Sequence, residues 1–152
     1  MNSFPPIEEL LPHRGTMLLL DRVAEFNDGG VVAEYSPRQG AWYADGAGNM
    51  PAWLGIELMA QAVAVHVALK KRQAGLAPKM GALLGTRRYQ ATAKSFIAGS
   101  VLQVFAQEIF RDETGLAAYD CSIRQHGAVL ATSTLKVYEP DDFGSFMQGN
   151  TL

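Results

Sequence analysis

The chain has one cysteine, Cys121, in 152 residues. A lone cysteine excludes an internal disulfide and any cysteine-based zinc cage, and it fits a reducing compartment. Charge of either sign is also scarce in excess: 13 Lys and Arg face 15 Asp and Glu, for a net charge of −2. A global field that small neither recruits nucleic acid nor coats a membrane. Residues 1–9 carry prolines and acids where a signal peptide needs basic residues followed by an apolar run. The longest apolar stretch, 50–69, is interrupted by Glu57, Gln61 and His66, which makes it a poor membrane span. There is no internal repeat, low-complexity block, Pro/Gly-rich linker, G-x-S-x-G, Walker or H-E-x-x-H pattern. These absences predict a soluble, cytoplasmic domain over 1–139, with a polar, flexible tail over 140–152.

What is present is a globular balance, with 48% hydrophobic and 18% charged types. Residues 7–11 read as a short helix or turn ended by Pro12. Strands are predicted over 17–26 and 31–35, joined by the hairpin signal Asn27-Asp28-Gly29-Gly30, and 36–49 reads as a loop. Residues 51–73 form the strongest helix expectation. Pro51 suits its first turn, Lys70-Lys71-Arg72 complement its C-terminal dipole, and Gly75 and Pro78 stop it. Its apolar residues lie on nearly every face, as in a helix buried on most sides. Further strands are predicted over 80–89, 101–111, 116–125 and 129–138, with turns at 112–115 and 126–127. One buried helix with about six antiparallel strands gives an α+β fold in which a curved sheet wraps the helix. One chain covers such a sheet incompletely, so a dimer is expected.

Three blocks carry a resemblance: Leu11-Pro12-His13-Arg14, then MLLLDRV over 17–23, then MPAWLGIELMAQA over 50–62. Together they resemble the hotdog-fold 3-hydroxyacyl-acyl-carrier-protein dehydratases, whose pattern is L-P-H-R, L-L-x-D-R-V and G-H-F-P-G-x-P-x-M-P-G-x-L-x-x-E-x-M-A-Q. The resemblance covers residues 7–138 and implies a hotdog fold. It also implies a helix acid and a loop histidine that meet across a dimer interface. The histidine removes the C2 proton, the acid protonates the leaving C3 hydroxyl, and backbone N–H groups at the helix start polarise the thioester. No metal or redox cofactor is implied, because the substrate arrives on the phosphopantetheine arm of an acyl carrier protein.

Residue by residue, Glu57 falls on the family's acid, and Met50, Pro51, Met59, Ala60 and Gln61 match directly. The family's glycine after the proline is Ala52, followed by Trp53. Tyr43 stands where the loop histidine belongs, within Ala41-Trp42-Tyr43-Ala44-Asp45-Gly46-Ala47-Gly48. The acid is present and the base is missing.

Glu57 also stands out on its own terms. It interrupts the most apolar segment, where an unpaired carboxylate is costly to bury and the neutral carboxyl of a general acid is favoured; the alternative is a glutamate exposed at the helix edge. Gln61, one turn later on the same face, is placed to hold that carboxyl by a hydrogen bond. No histidine replaces the missing one convincingly. His66, nine positions on, faces the opposite way and is expected to be packed or dimer-facing. His126 belongs to a hairpin turn. His13 sits in the opening block, read as structural and near the channel mouth, with catalysis a lesser reading. Tyr43 is a hydrogen-bond donor but a poor base. Arg87, Arg88 and Lys94 form a basic cluster that the resemblance assigns to the phosphopantetheine phosphate or the carrier protein, against ordinary solvated surface. Lys70-Lys71-Arg72 reads as helix-end charge, the methionines and Trp53 as core or channel lining, and Asp21-Arg22 as a strand-end ion pair.

The chain is therefore read as a dehydratase subunit acting on carrier-bound 3-hydroxyacyl thioesters, either a homodimer or paired with a related hotdog subunit that brings the histidine. The resemblance implies such a pairing, as in divergent members of the family from polyene-type pathways with paired dehydratase subunits. The alternatives are a non-catalytic acyl-carrier-binding subunit and a hotdog thioesterase.

Overall fold

The structure, a computed structural model, describes residues 3–76 and 82–139. In chain order it contains α1 (Ile7–Leu10), a 3-10 turn (Gly15–Met17), β1 (Arg22–Asn27), β2 (Gly30–Tyr35), β3 (Met50–Pro51) and a second 3-10 turn (Ala52–Leu54). There follow α2 (Gly55–Gln73), β4 (Ala82–Ala91), β5 (Ser95–Phe96), β6 (Leu102–Arg111), β7 (Leu116–Gln125) and β8 (Ala128–Tyr138). The expected tail over 140–152, Pro78 and the first residues of the strand expected at 80 lie outside the described residues.

Six strands form one antiparallel sheet in the order β1-β2-β6-β7-β8-β4, and β3 pairs with β5. The helix α2 packs along β2, β6, β7, β4 and β8, as the α+β expectation requires. Period-2 alternation supplies the wall of the core: Leu102, Val104 and Ala106 of β6, and Ala131 and Leu135 of β8, are buried. The helix answers with Leu58, Met59, Ala62, Val63, Val65 and Leu69. By length and hydropathy Ala52–Gln73 could cross a membrane, but 67% of that apolar window is buried, which makes it a core helix.

Its C-terminal basic residues do more than complement the dipole. Lys70 Nζ lies 3.6 Å from Glu108 Oε2, and Lys71 Nζ lies 3.2 Å from Glu139 Oε1. Gly75, at φ +73, closes the helix with N–H bonds from Gly75 to Arg72 O and from Leu76 to Lys71 O.

Three expectations need correction. The strand expected over 17–26 begins only at Arg22, because the Gln61 side chain takes the backbone N–H groups of Leu19 and Leu20 at 3.0 and 3.3 Å, in place of a ladder partner. The helix begins at Gly55, because Met50–Pro51 pairs with Ser95–Phe96, a short strand not anticipated. Asp21 and Arg22 do not pair with each other. Arg38 Nη2 lies 2.5 Å from Asp21 Oδ1 and Arg22 Nη2 lies 2.7 Å from Glu34 Oε1, since neighbours along an extended chain point to opposite faces.

His66 is fully buried, with Nδ1 2.7 Å from Tyr119 Oη and Nε2 3.0 Å from Asn27 O. A carbonyl only accepts, so Nε2 carries the proton and Tyr119 donates to Nδ1. Burial pushes the imidazole below its ordinary 6.5, against the smaller opposing pull of the Asn27 carbonyl. A base whose folded value is lowered binds fewer protons folded than unfolded. Stability is therefore full above 6.5 and falls as pH drops through that value. Denaturant midpoints should fall between about pH 7.5 and 5.5, above the range of Glu108, whose ordinary value is 4.5. A His66→Asn variant should be less stable at neutral pH and show a shallower decline. An equal slope in both proteins would contradict this account.

Cys121 is buried on β7, and its thiol is pushed up to about 12, first by burial and then by Asp120. A thiol reagent should modify it in native protein only at the rate of unfolding, and at once in denaturant. Immediate native labelling would place it on the surface instead.

Candidate functional site

The site is built where the start of α2 meets β4. Ser133 on β8 lies opposite a bulge between Arg87 and Gln90, within which Arg88 adopts φ +55. This left-handed conformation normally costs a non-glycine residue roughly 1–2 kcal/mol. The bulge leaves Arg87 in the row of Thr134 and Asp120 on the outer sheet face and turns Tyr89 toward the helix, where its hydroxyl donates to Ala52 O. Burial pushes that phenol up to about 12, which keeps it a donor. Gly55 makes the approach possible, since a Cβ there would stand 2.2 Å from Tyr89 Oη.

Glu57 occupies the first turn of α2. Its side chain is 37% exposed, so it stands at the helix edge, not in the apolar interior its sequence setting suggested. Gln61 Nε2 donates to Glu57 Oε1 at 3.0 Å, as the one-turn spacing predicted. The amide orientation is fixed by its other bonds: Oε1 accepts from Leu19 and Leu20 N–H, and Nε2 also donates to Met17 O at 2.8 Å. Gln61 thus ties the 13–20 segment across the helix.

That segment brings His13 to the acid. Its Nε2 lies 3.5 Å from Glu57 Oε1, and the two side chains are 28% and 37% exposed. Sequence reasoning treated His13 as structural and did not foresee this contact, which joins positions 44 apart through Gln61. The available signal was a glutamine inside an apolar helix, whose amide must find several partners when buried.

Tyr43 does not take a histidine's place. It is buried, its hydroxyl bonds the Tyr35 hydroxyl, and it accepts the Arg38 N–H at 3.2 Å. The loop around it is ordered by Asp45, whose Oδ1 accepts from Ala47 and Asn49 N–H at 2.9 and 3.0 Å. Asn49 Oδ1 in turn accepts from Ala98 N–H at 2.8 Å. His66 is sealed in the core, and His126, at φ +50 before Gly127, forms the expected hairpin turn.

The substrate-binding expectations divide. The Ala52 N–H donates to Lys94 O at 2.9 Å, so it is committed to the backbone and not to a thioester. The same bond places Lys94 beside the helix start, with an exposed side chain. Arg87 and Arg88 are exposed on β4. Trp53 is 64% exposed, not core, and Met17 and Trp42 are likewise exposed. Trp42 Nε1 donates to Thr16 O at 2.9 Å, and the Met17 carbonyl binds Gln61. Gln61 thereby links the Met17 backbone to Glu57.

A six-stranded antiparallel sheet wrapped on one long helix defines the hotdog class. The profile of the ApeP-like family, described as ApeP dehydratase, matches residues 5–148, and the chain belongs to that family. It is 29% identical over 138 residues to the 3-hydroxyacyl-[acyl-carrier-protein] dehydratase FabZ of Acinetobacter baumannii, covering 86% of this chain and 91% of that one. A chain of the dehydratase heterocomplex ApeI:P from Xenorhabdus doucetiae superposes with a TM-score of 0.88 at 27% identity, covering 98% of this chain and all of the other. A hypothetical thioesterase from Streptococcus pneumoniae, solved with coenzyme A, shares the fold at a TM-score of 0.60 and 17% identity, over 78% of this chain and 84% of that one.

Proposed function

We propose that this chain is a dehydratase subunit for carrier-bound 3-hydroxyacyl thioesters, with Glu57 as the general acid and the base supplied by a histidine of a related hotdog partner. The observation that carries this reading is Glu57 itself. Its Oε1 is held by Gln61, and the carboxyl stands half-exposed in the first turn of α2. The partner's imidazole takes the C2 proton, the C2–H electrons form the C2=C3 double bond, and the C3–O bond breaks. The leaving hydroxyl takes the Glu57 proton and departs as water.

Support for a partner comes from the site and the sheet. Tyr43 is engaged in the core, leaving no imidazole at the family's loop position. Met17, whose carbonyl binds Gln61, Trp42, bonded to the neighbouring Thr16 carbonyl, and Trp53, four positions before Glu57, are exposed apolar side chains, and β4 ends the sheet order with an edge unpaired among the described residues. A solved relative is a heterocomplex of dehydratases. Lys94 beside the helix start and Arg87-Arg88 at the bulge suit the phosphate of a phosphopantetheine arm or an acidic carrier surface. The chemistry asks for no metal or bound cofactor, and a soluble cytoplasmic setting suits a carrier-borne substrate.

The test separates dehydration from thioester hydrolysis. A 3-hydroxyacyl carrier protein incubated with this chain and a histidine-bearing partner should yield the 2-enoyl thioester with the carrier still acylated. Release of free acid and carrier thiol would make the chain a thioesterase and overturn the proposal.

A further inference from the structure

The 13–20 segment is more than a covering strap. Gln61 binds it at three backbone points, Met17 O, Leu19 N and Leu20 N, and the same amide touches Glu57. At its start, Arg14 Nη1 folds back onto the carbonyls of Leu11 and His13 at 2.5 and 2.7 Å, fixing the backbone that carries His13. The result is a histidine 3.5 Å from the acid within one chain. Its other nitrogen, Nδ1, is buried and has no hydrogen-bond partner among the described residues. A histidine serving as base is ordinarily oriented by a partner on its second nitrogen. His13 lacks one, so its geometry suits holding the acid, not replacing the missing base.

We infer that His13 is a positioning residue for Glu57: its Nε2–H and the Gln61 amide both donate to Oε1, leaving Oε2 as the oxygen that carries the proton given to substrate. The tautomer follows from the acceptor role of Oε1, which already receives Gln61 Nε2–H and so presents a lone pair to His13. Placing the proton on Nε2 also leaves a lone pair, not an N–H, at the unpartnered Nδ1. At 3.5 Å the contact is longer than a full hydrogen bond. Catalytic contacts of this length commonly tighten in the Michaelis or transition-state complex. The inference rests on Glu57 being the acid, and it explains why Gln61 ties this segment to the helix.

Two measurements test it. Nitrogen NMR on histidine-labelled protein should show the His13 proton on Nε2, and Glu57→Gln should shift that resonance while leaving His126 unmoved. A proton on Nδ1, or a His13 signal indifferent to Glu57, would overturn the inference whether or not the chain dehydrates anything. In the mixed assay with a histidine-bearing partner, His13→Ala should lower kcat roughly 10- to 100-fold with KM within about twofold, the cost of a misplaced catalytic group. His13→Gln, whose amide N–H reaches a similar position, should recover most of that loss. Wild-type kcat in His13→Ala, or His13→Gln no better than alanine, would overturn it. Absence of dehydration in every mixture, wild type included, would instead sink the dehydratase reading and leave the NMR result to decide the pair.

Discussion

Glu57→Gln should lower dehydration supported by this chain by roughly 10²–10⁴-fold, the usual contribution of a positioned proton donor. The substitution is close to isosteric. Its amide oxygen can still accept from Gln61, so the 13–20 segment stays tied to the helix. What disappears is the transferable proton on the second oxygen. Because the Glu57 side chain is 37% exposed and the new amide oxygen keeps the Gln61 bond, the change strands no buried partner, and the denaturant midpoint should barely move. Loss of activity together with loss of stability would implicate the fold, and full activity would make Glu57 structural. Gln61→Ala is expected to behave differently. It strips partners from three backbone groups and from Glu57, so it should cost stability as well as turnover.

With the base supplied by a partner, as proposed, the purified chain alone should dehydrate poorly, with a deficit again of roughly 10²–10⁴-fold against a complete site, the usual contribution of a general base. His66 is enclosed between Tyr119 and Asn27, His126 is in a hairpin turn, and Tyr43 bonds Tyr35 and Arg38. His13 reaches Glu57 but lacks the second hydrogen bond that would orient it as a base. Installing histidine as Tyr43→His should not restore activity. The new ring would have to leave a buried position and give up the contacts of the 35–43 pair, and the Asp45-centred turn would still set the loop's path. Adding a related subunit that carries the loop histidine should restore turnover. Full turnover by the single chain would make His13 the base.

The sequence shows the sheet and the helix because both are written in local periodicity. Alternation marks β6 to β8, and an all-round apolar run ending in Lys70-Lys71-Arg72 and Gly75 marks α2. The errors fall where a distant side chain supplies what the backbone would otherwise find nearby. Residues 18–21 look like strand, yet Gln61, some forty positions away, takes the N–H groups of Leu19 and Leu20. The same glutamine concealed the His13–Glu57 approach. Motif spacing aligns Glu57 with the family's acid and Tyr43 with its histidine, but it says nothing of where Tyr43 points, which depends on Tyr35 and the Asp45 turn. Nor could alternation alone reveal that a bulge at Arg88 turns Tyr89 inward, onto Ala52, which opens the 3-10 turn before the helix.

The most direct test of the central claim is complementation between two incomplete chains. This chain, with Glu57 intact, is mixed with a related hotdog subunit that keeps its loop histidine but has its own helix acid changed to glutamine. Initial rates of 2-enoyl carrier protein formation are then compared for each alone and for the mixture. The composite-site account predicts negligible turnover from either component and turnover in the mixture that disappears when this chain carries Glu57→Gln. Turnover by this chain alone, equal to that of the mixture, would contradict it.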